Sequence, residues 1–352
     1  PAMKTFQLGQ TAERLLDAGQ RDQASALLRE GEAIAKQLPL DAFGGYARGA
    51  FAEELVQLDK PAALALMEGL SEVGEFDRHH GNAAHELAAI DPAAAERLLG
   101  LLHSAADTRH IYEPRESWGV RVCYRMAPVD LQRARRLADS FANPYLKAQA
   151  YGVMAQAIGR RQREAAVELI EQAFAVLEGL VRERERLGLG DVKNLSRDHF
   201  YYYQFSASSL AGSLLPNVES VDPALIPEYF WRAVSFRLPR TGDDAALGVA
   251  DRANLALATA LARYDRDVAG AILKPIRTRM VEFQNSRDAG LAAAVLVDPQ
   301  AAVAAVEAMR EEKPNYLLRA ELAQLLVLEG EPLWRKLQNL LGLWAIDVED
   351  LF

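Results

Sequence analysis

The segment RHHGNAAHE, residues 78–86, holds the densest group of side chains that could bind a metal or move a proton. A zinc-binding HExxH helix needs a second histidine four residues after the first, but Ala89 stands four residues after His85. His80 and His85 are five residues apart, a poor spacing for two ligands on one helical face. We therefore expect no metal here and regard His85 as a candidate contact for a partner.

No other stretch carries a recognised catalytic motif. GxSxG, Walker-type and GxGxxG sequences are absent, and GGYARG (44–49) follows no strand that would make it a phosphate loop. The single cysteine, Cys123, is expected to be a buried structural thiol. Glu53 and Glu54 are adjacent and are expected to be solvated on an exposed helix face. The sequence thus predicts no catalytic residue and no cofactor, and it favours a protein that is not an enzyme.

A repeated frame positions these residues along the chain. It is centred on one residue, usually Asp, which we call the anchor. In HELAAIDPAAAERLL (85–99) the anchor is Asp91, and the frame residues Leu87, Ala95 and Leu98 stand four before, four after and seven after it. The anchors are Gln20, Asp59, Asp91, Asp130, Gln162, Asp222, Asp265, Asp298 and Gly330, the sixth and ninth fitting more loosely. Their spacings of 39, 32, 39, 32, 60, 43, 33 and 32 residues indicate a unit of 32–33 residues with insertions.

Each anchor is predicted to begin the second helix of an αα-hairpin. An Asp side chain can accept the free backbone N–H groups of a helix's first turn, and Pro92, Pro223 and Pro299 follow their anchors at the first helical position. The apolar residues before each anchor recur at helical steps. A single hairpin cannot bury its apolar stripe, so hairpins must stack. We predict an all-α, right-handed α-solenoid of about nine stacked αα-hairpins, forming a single domain over residues 1–352.

This pattern resembles the helical-repeat superfamily that includes tetratricopeptide and HEAT-type arrays. The resemblance covers most of the chain. The tetratricopeptide pattern of Trp, Leu-Gly and Tyr in the first helix is not kept, and neither is the 34-residue spacing. The resemblance therefore implies stacked helical hairpins and carries over no ligand and no residue role.

Alignment of the units on their anchors produces three columns of residues. Ten residues before the anchor, glycine predicts a close approach of another helix, at Gly49, Gly81, Gly152 and Gly212. Eleven residues before it, large polar residues are interpreted as hydrogen-bonding groups between repeats or as ligand contacts; they include Arg48, His80 and Tyr151. Six residues before it, a polar column is predicted to face away from the core: Glu53, His85, Tyr124, Gln156, Thr259 and Gln324, with Arg121 beside it.

The role of the third column depends on which helix layer lines the concave side. If the first helices line it, as in tetratricopeptide arrays, His85, Arg121, Tyr124 and Gln156 pave a binding groove. If the second helices line it, as in HEAT arrays, the same residues are solvated on the convex surface. We favour the groove.

The repeat is interrupted between Gln162 and Asp222, where residues 181–200 are predicted to form an inserted loop. Inserted loops often project from the binding face of a repeat array. At least half of the aromatic residues near this insertion must belong to the core. The others are candidate ligand contacts, and we name His199, Tyr202, Tyr203 and, in PEYFWRAVSFRLPR (227–240), Trp231.

Composition limits the classes of partner. The chain has 352 residues and a formal net charge of −9, which argues against general binding to nucleic acid or to anionic lipid. No apolar stretch reaches the length of a membrane span. The opening residues PAM (1–3) resemble a cloning scar, so a removed signal peptide stays open, and we expect a cytoplasmic protein. The C-terminal end, with Trp344 and Phe352, is either a terminal cap or an interface to a second copy.

These observations favour a non-enzymatic scaffold that binds a protein or peptide partner in the groove of the solenoid. The alternative is an all-α enzyme or small-molecule sensor with an aromatic pocket around residues 185–240. A third hypothesis is sequence-specific RNA binding. It requires the arginines of the aligned repeat positions to form one continuous basic surface, and the acidic net charge disfavours it.

Overall fold

The computed structural model describes residues 1–39, 42–56, 58–70, 77–102, 114–186, 207–237, 249–273 and 300. The chain divides into two compact units, Pro1–Ile158 and Gly159–Phe352, called here the first and second units. The regular structure of the described residues is entirely helical, so the all-α prediction is confirmed. Within this part of the chain, no helix combines the length and apolar character that crossing a membrane requires. The single domain over 1–352 and the solenoid stay predictions.

The described part of the first unit contains nine α-helices, of which the first eight pack as successive pairs. They are α1 (Ala2–Asp17), α2 (Arg21–Ala35), α3 (Ala42–Leu55), α4 (Lys60–Glu68), α5 (Asp77–Ala88), α6 (Pro92–Leu101), α7 (Pro114–Met126), α8 (Leu131–Asp139) and α9 (Pro144–Ile158). Helix α1 packs on α2, α3 on α4, α5 on α6 and α7 on α8. Each odd-numbered helix also packs on the next odd-numbered helix, from α1 to α9. We call the odd-numbered helices the first helices and the even-numbered ones the second helices.

The predicted anchors cap the second helices. The Oδ1 atoms of Asp59, Asp91 and Asp130 accept hydrogen bonds from the backbone N–H groups three residues ahead, at N···O distances of 3.1, 3.1 and 3.0 Å. Gln20 stands at the same place before α2 but makes no side-chain cap. The frame residues after the anchors are buried as expected, among them Ala63, Leu66, Ala95, Leu98, Ala134 and Leu137.

Glycines allow neighbouring first helices to pack closely against each other. A Cβ atom added to Gly49 would lie 2.6 Å from the His79 ring, and one added to Gly81 would lie 2.1 Å from the Trp118 ring. His79 and Trp118 each stand twelve residues before their anchors, Asp91 and Asp130, so an aromatic ring at this position packs on the glycine of the preceding first helix. The close approach predicted for the glycine column is confirmed at these two positions.

The second unit begins with a short 3₁₀ helix, Gly159–Gln162, followed directly by α10 (Arg163–Arg186). Residues 181–186 of the predicted inserted loop therefore continue α10, and residues 187–200 lie outside the described residues. The other helices among the described residues are α11 (Ala207–Ser213), α12 (Leu215–Val221), a 3₁₀ helix (Pro223–Leu225), α13 (Ile226–Ser235), α14 (Val249–Leu261) and α15 (Arg266–Leu273).

Two anchors of the second unit also act as caps. Asp222 Oδ1 accepts a hydrogen bond from the Ala224 N–H at 2.9 Å. Asp265 Oδ1 accepts from the Asp267 and Val268 N–H groups, both at 3.0 Å. Gly212 repeats the glycine rule, since an added Cβ would lie 2.7 Å from the Ala260 Cβ on α14. Asp caps at predicted anchors and close helix contacts at glycine therefore occur in both units.

Candidate functional site

The structure places four of the predicted contact residues on successive first helices. His85 lies on α5, Arg121 and Tyr124 on α7, and Gln156 on α9. His85, Tyr124 and Gln156 occupy the same position, six residues before their anchors. Because α5 packs on α7 and α7 on α9, these residues follow one row of contacting helices. We call the surface formed by Glu53, Asn82, His85, Arg121, Tyr124 and Gln156 the first-helix face.

This face is less open than the sequence predicts. The side chain of His85 is only 7% exposed, and Thr259 of the same column is fully buried. Arg121, Tyr124 and Gln156 are half-buried. The prediction that this column faces away from the core is therefore wrong at His85 and Thr259. The apolar periodicity of one helix indicates in which direction a side chain points, but it does not show whether a neighbouring helix covers that side chain.

Glu53 belongs to a polar network between α3 and α5. Its Oε1 atom accepts a hydrogen bond from Nδ1 of His79 at 2.5 Å. Asn82 donates to both carboxylate oxygens of Glu53, at 3.3 and 3.4 Å. Tyr46 meets the His79 ring edge to face, with the ring centroids 4.9 Å apart. Glu53 is thus not the simply solvated carboxylate expected from the sequence, but an acceptor for the next first helix.

The next pair of first helices, α5 and α7, carries a different set of side chains at matching positions. The Arg121 guanidinium carbon lies 4.8 Å from the centroid of the Trp118 ring, within cation–π distance. Arg125 reaches Glu86 at 3.8 Å, and Glu86 lies 3.5 Å from Nδ1 of His85. Nε2 of His85 is buried and has no hydrogen-bond partner among the described residues. Charged, aromatic and imidazole groups therefore meet along this helix pair.

The repeat register relates the two networks. Asn82 and Arg121 both stand nine residues before an anchor, as Glu53 and His85 both stand six before one. The contact from Asn82 to Glu53 thus has its positional counterpart in Arg121 and His85. The same register brings His79 onto Gly49 and Trp118 onto Gly81. Arg121 and His85 therefore occupy, on α7 and α5, the register positions that Asn82 and Glu53 occupy on the preceding pair of first helices.

The pKa values of Tyr124, on this face, and of Glu54, beside it, are raised. Burial raises the pKa of Tyr124, an effect that Arg125 opposes, so the hydroxyl stays a neutral donor. Burial, together with the nearby carboxylates of Glu13 and Glu53, raises the pKa of Glu54 to about 7. Glu54 is half-buried rather than solvated, which corrects the sequence-based expectation.

Glu54 gives a prediction about stability. Its pKa in the folded chain lies above the ordinary value of 4.5, so folding favours the protonated carboxyl, and the stability it contributes below that value is lost as the pH rises through about 7. Glu54→Gln keeps a neutral group at all pH values. We expect it to stabilise the protein at pH 8 by about 1–2 kcal/mol, an amount reduced by solvent screening, and to be nearly neutral at pH 5.

Urea unfolding of wild type and variant at pH 5 and pH 8 measures the effect. Glu30→Gln is the control, because Glu30 pairs with Lys4 on an exposed surface and should respond little to this pH change. An equal change in unfolding free energy at both pH values would show that ionisation of Glu54 is not the cause.

Other residues of the first unit have structural partners. Nε2 of His80 lies 2.9 Å from the Met67 carbonyl oxygen on α4, and the Tyr151 hydroxyl donates to Asp139 on α8. These contacts support the interpretation of their column as hydrogen-bonding groups between repeats. Cys123 is buried, and burial raises the pKa of its thiol, as expected for a structural residue.

In the second unit, Trp231 lies on α13 with 60% of its surface exposed, its ring edge-on to Phe230 at 5.3 Å. Its neighbour Arg232 turns towards α10 instead. Arg232 pairs with Glu171 at 2.9 Å and Glu178 at 2.8 Å, and its guanidinium lies 4.9 Å from the Phe174 ring centroid. Arg232 thus binds side chains of α10, whereas the Trp231 side chain is exposed.

Several predicted features lie outside the described residues. They are His199, Tyr202 and Tyr203, Gln324, the last two anchors and the C-terminal end. The aromatic pocket around 185–240 stays a prediction, because residues 187–206 and 238–240 of that segment also lie outside the described residues.

Sequence reasoning missed two residues that contact the first-helix face, His79 and Tyr46. The signal that could have found His79 is the aromatic position twelve residues before the anchor, which recurs at Trp118. Tyr46 stands thirteen residues before Asp59 and does not share that position. Among the described residues, no group of three or more His, Cys, Asp or Glu side chains is arranged to hold a metal. No protein-family model, no curated protein and no solved structure matches this chain.

Proposed function

We propose that this protein is a binding scaffold whose first-helix face holds a protein or peptide partner. In this proposal the hairpins of the whole chain stack as a right-handed α-solenoid of about nine repeats, and the first helices line its groove. The function is recognition, and the chemistry is hydrogen bonding, charge pairing and aromatic contact.

The observation that carries the proposal is the alignment of polar side chains at one repeat position on contacting helices. Glu53, His85, Tyr124 and Gln156 follow α3, α5, α7 and α9 in order. An extended partner laid across these helices would meet the half-buried side chains of this row, those of Glu53, Tyr124 and Gln156, while His85 lies beneath them. Tyr and Arg are the residue types most often found at the energetic centres of protein interfaces, and this face offers Tyr124 and Arg121.

The partial burial of these side chains also supports recognition. Arg121 is held against the Trp118 ring, and Tyr124 is half-buried. Side chains that are already ordered lose less conformational entropy when a partner binds. A surface that served only solvation would not need this degree of order.

The test is affinity capture of partners from a lysate of the native host with the full chain as bait. The Arg121→Ala/Tyr124→Ala variant removes two contacts on α7. The matched control, Arg136→Ala/Gln132→Ala, removes an arginine and a second polar residue from exposed positions of α8, a second helix. Circular dichroism must show the same helicity for all three proteins.

We expect a specific partner to be captured by wild type and control and to be reduced at least tenfold with the α7 variant, as expected when two interface contacts near its centre are lost. Equal recovery by the α7 variant and wild type would contradict the proposal and move the interface to another surface.

A further inference from the structure

We infer that the α1–α2 hairpin is held on α3 by a proton-dependent contact and separates from α3 more readily at neutral than at mildly acid pH. The groups responsible are the carboxyls of Glu13 on α1 and Glu54 on α3, at the interface of the two helices. The inference concerns a pH-dependent movement of the first hairpin and does not depend on the proposed function.

The first argument is the packing of the hairpin on α3. A Cβ added to Gly9 of α1 would lie 3.2 Å from Cγ of Glu54 and 3.4 Å from Cδ2 of Phe51. Phe51 is 1% exposed and also packs on α2, where a Cβ added to Gly31 would lie 2.3 Å from its ring. The hairpin thus covers both Phe51 and the stem of Glu54, and its departure would return both side chains to water.

The second argument is that the charge at this interface is not compensated. Among the described residues, neither Glu13 nor Glu54 makes a hydrogen bond or an ion pair. Burial, followed by the carboxylates of Glu13 and Glu53, raises the pKa of Glu54 to about 7. An ionised Glu54 therefore faces two like charges while it is partly removed from water, and both effects favour separation of the helices.

The surroundings of the interface supply no opposite charge. Helices α1, α2, α4 and α5 pack on α3, and the cation that reaches this part of α3 from α5 is taken by Glu53, which His79 and Asn82 bind. On the α1–α2 hairpin, Lys4 pairs with Glu30. Among the described residues, none of the basic side chains of the four helices pairs with Glu13 or Glu54: Lys4, Arg14, Arg21, Arg29, Lys60, Arg78, His79, His80 and His85.

These contacts give the sign of the pH dependence. When the hairpin leaves α3, Glu54 becomes solvated and its pKa returns towards the ordinary value of 4.5. The attached state thus has the higher pKa, so the stability that Glu54 gives it is fully present below pH 4.5 and is lost as the pH rises through about 7. Deprotonation therefore shifts the equilibrium towards the separated hairpin.

Hydrogen–deuterium exchange of the full chain at pH 5 and pH 8, corrected for the intrinsic exchange rate at each pH, tests the inference. We expect peptides from α1 to be less protected than peptides from α7, because the hairpin opens without the rest of the first unit. The protection factor of α1 should fall about tenfold from pH 5 to pH 8. Glu54→Gln should remove this fall, whereas Glu164→Gln, at an exposed position of α10, should leave it unchanged.

Glu13→Lys separates the effect of charge from that of packing. Glu13 is exposed, so the substitution places a cation near Glu54 without altering the buried residues beneath α1. We expect it to raise the protection of α1 at pH 8 several-fold over wild type, since an ionised Glu54 then has a partner. Glu13→Gln, which only removes a like charge, should give a smaller rise.

Two results would overturn the inference. Equal protection of α1 and α7 at both pH values would mean that the hairpin leaves α3 only when the whole unit unfolds. A fall in α1 protection that persists in Glu54→Gln would mean that another group titrates. Neither result bears on the proposed function, which is tested by the loss of a partner in Arg121→Ala/Tyr124→Ala.

Discussion

Gly81→Ala is expected to destabilise the first unit by about 2–3 kcal/mol, because the added methyl group has no room. An ideal Cβ at this position lies 2.1 Å from Cδ2 and 2.2 Å from Cε2 of Trp118. The indole ring is rigid and cannot yield as the end of a flexible chain would. Helices α5 and α7 must therefore separate, and buried contacts between them are lost. Thermal and urea unfolding followed by circular dichroism measure the loss.

Gly100→Ala is the matched control. Gly100 lies within α6, and a Cβ added there would meet no atom within 4 Å. Alanine is the better helix former by roughly 1 kcal/mol, so this substitution should stabilise the protein slightly. Opposite signs for the two substitutions are the expected result. Stabilisation by both would mean that α5 and α7 are not packed through Gly81.

Trp118→Leu in the Gly81→Ala background tests the mechanism of the clash. Leucine is smaller and can change rotamer, so we expect the double variant to lose less stability than the sum of the two single substitutions. A strictly additive result would show that the Gly81 methyl group and Trp118 do not compete for the same space.

The local features of this fold could be predicted from the sequence because their causes are local. Asp59, Asp91 and Asp130 cap helices that begin at the very next residue, and the bonds that do this span three residues. The recurrence of glycine at Gly49 and Gly81 indicated close helix contacts because glycine has no other advantage inside a helix. These inferences needed no knowledge of which helix would be the neighbour.

The candidate site depended on contacts that are distant in sequence, and there the sequence was a weaker guide. His79 lies 26 residues from Glu53, and only the packing of α5 on α3 brings the two together. The periodicity of α5 placed His85 off the apolar stripe, but the side chain is buried by its surroundings. Likewise, Trp231 and Arg232 are adjacent in one aromatic run, yet one is exposed and the other is bound by two carboxylates of α10.

Glu116 is another residue whose contacts are distant in sequence, and its removal is the second substitution for which we expect a large loss of stability. This buried glutamate on α7 accepts two backbone hydrogen bonds from the segment that leads into α9: Oε1 from the Ala142 N–H at 2.6 Å and Oε2 from the Asn143 N–H at 3.0 Å. Asn143 in turn caps α9 through its Oδ1 atom, which accepts from the Tyr145 N–H at 2.9 Å. One carboxylate thereby fixes the start of the last helix of the first unit.

We expect Glu116→Ala to lower the free energy of unfolding by about 2–3 kcal/mol, because two charge-assisted hydrogen bonds are lost. Glu116→Gln should cost less, since the amide oxygen can still accept one of the two bonds. Hydrogen exchange should localise the change, with faster exchange of the Ala142 and Asn143 amides and fraying of the first turn of α9. Urea unfolding gives the size of the effect.

Glu30→Ala serves as the control for removing a glutamate from the same unit. Its partner Lys4 and Glu30 itself are both about half exposed, and such pairs contribute less than about 1 kcal/mol. If Glu116→Ala cost no more than Glu30→Ala, the two backbone bonds would not hold α9 in place. If the larger loss is found, the alignment of Gln156 on α9 with Tyr124 on α7 depends on a carboxylate that touches neither side chain. Partner binding at the first-helix face should then weaken in Glu116→Ala, even though no contact residue has changed.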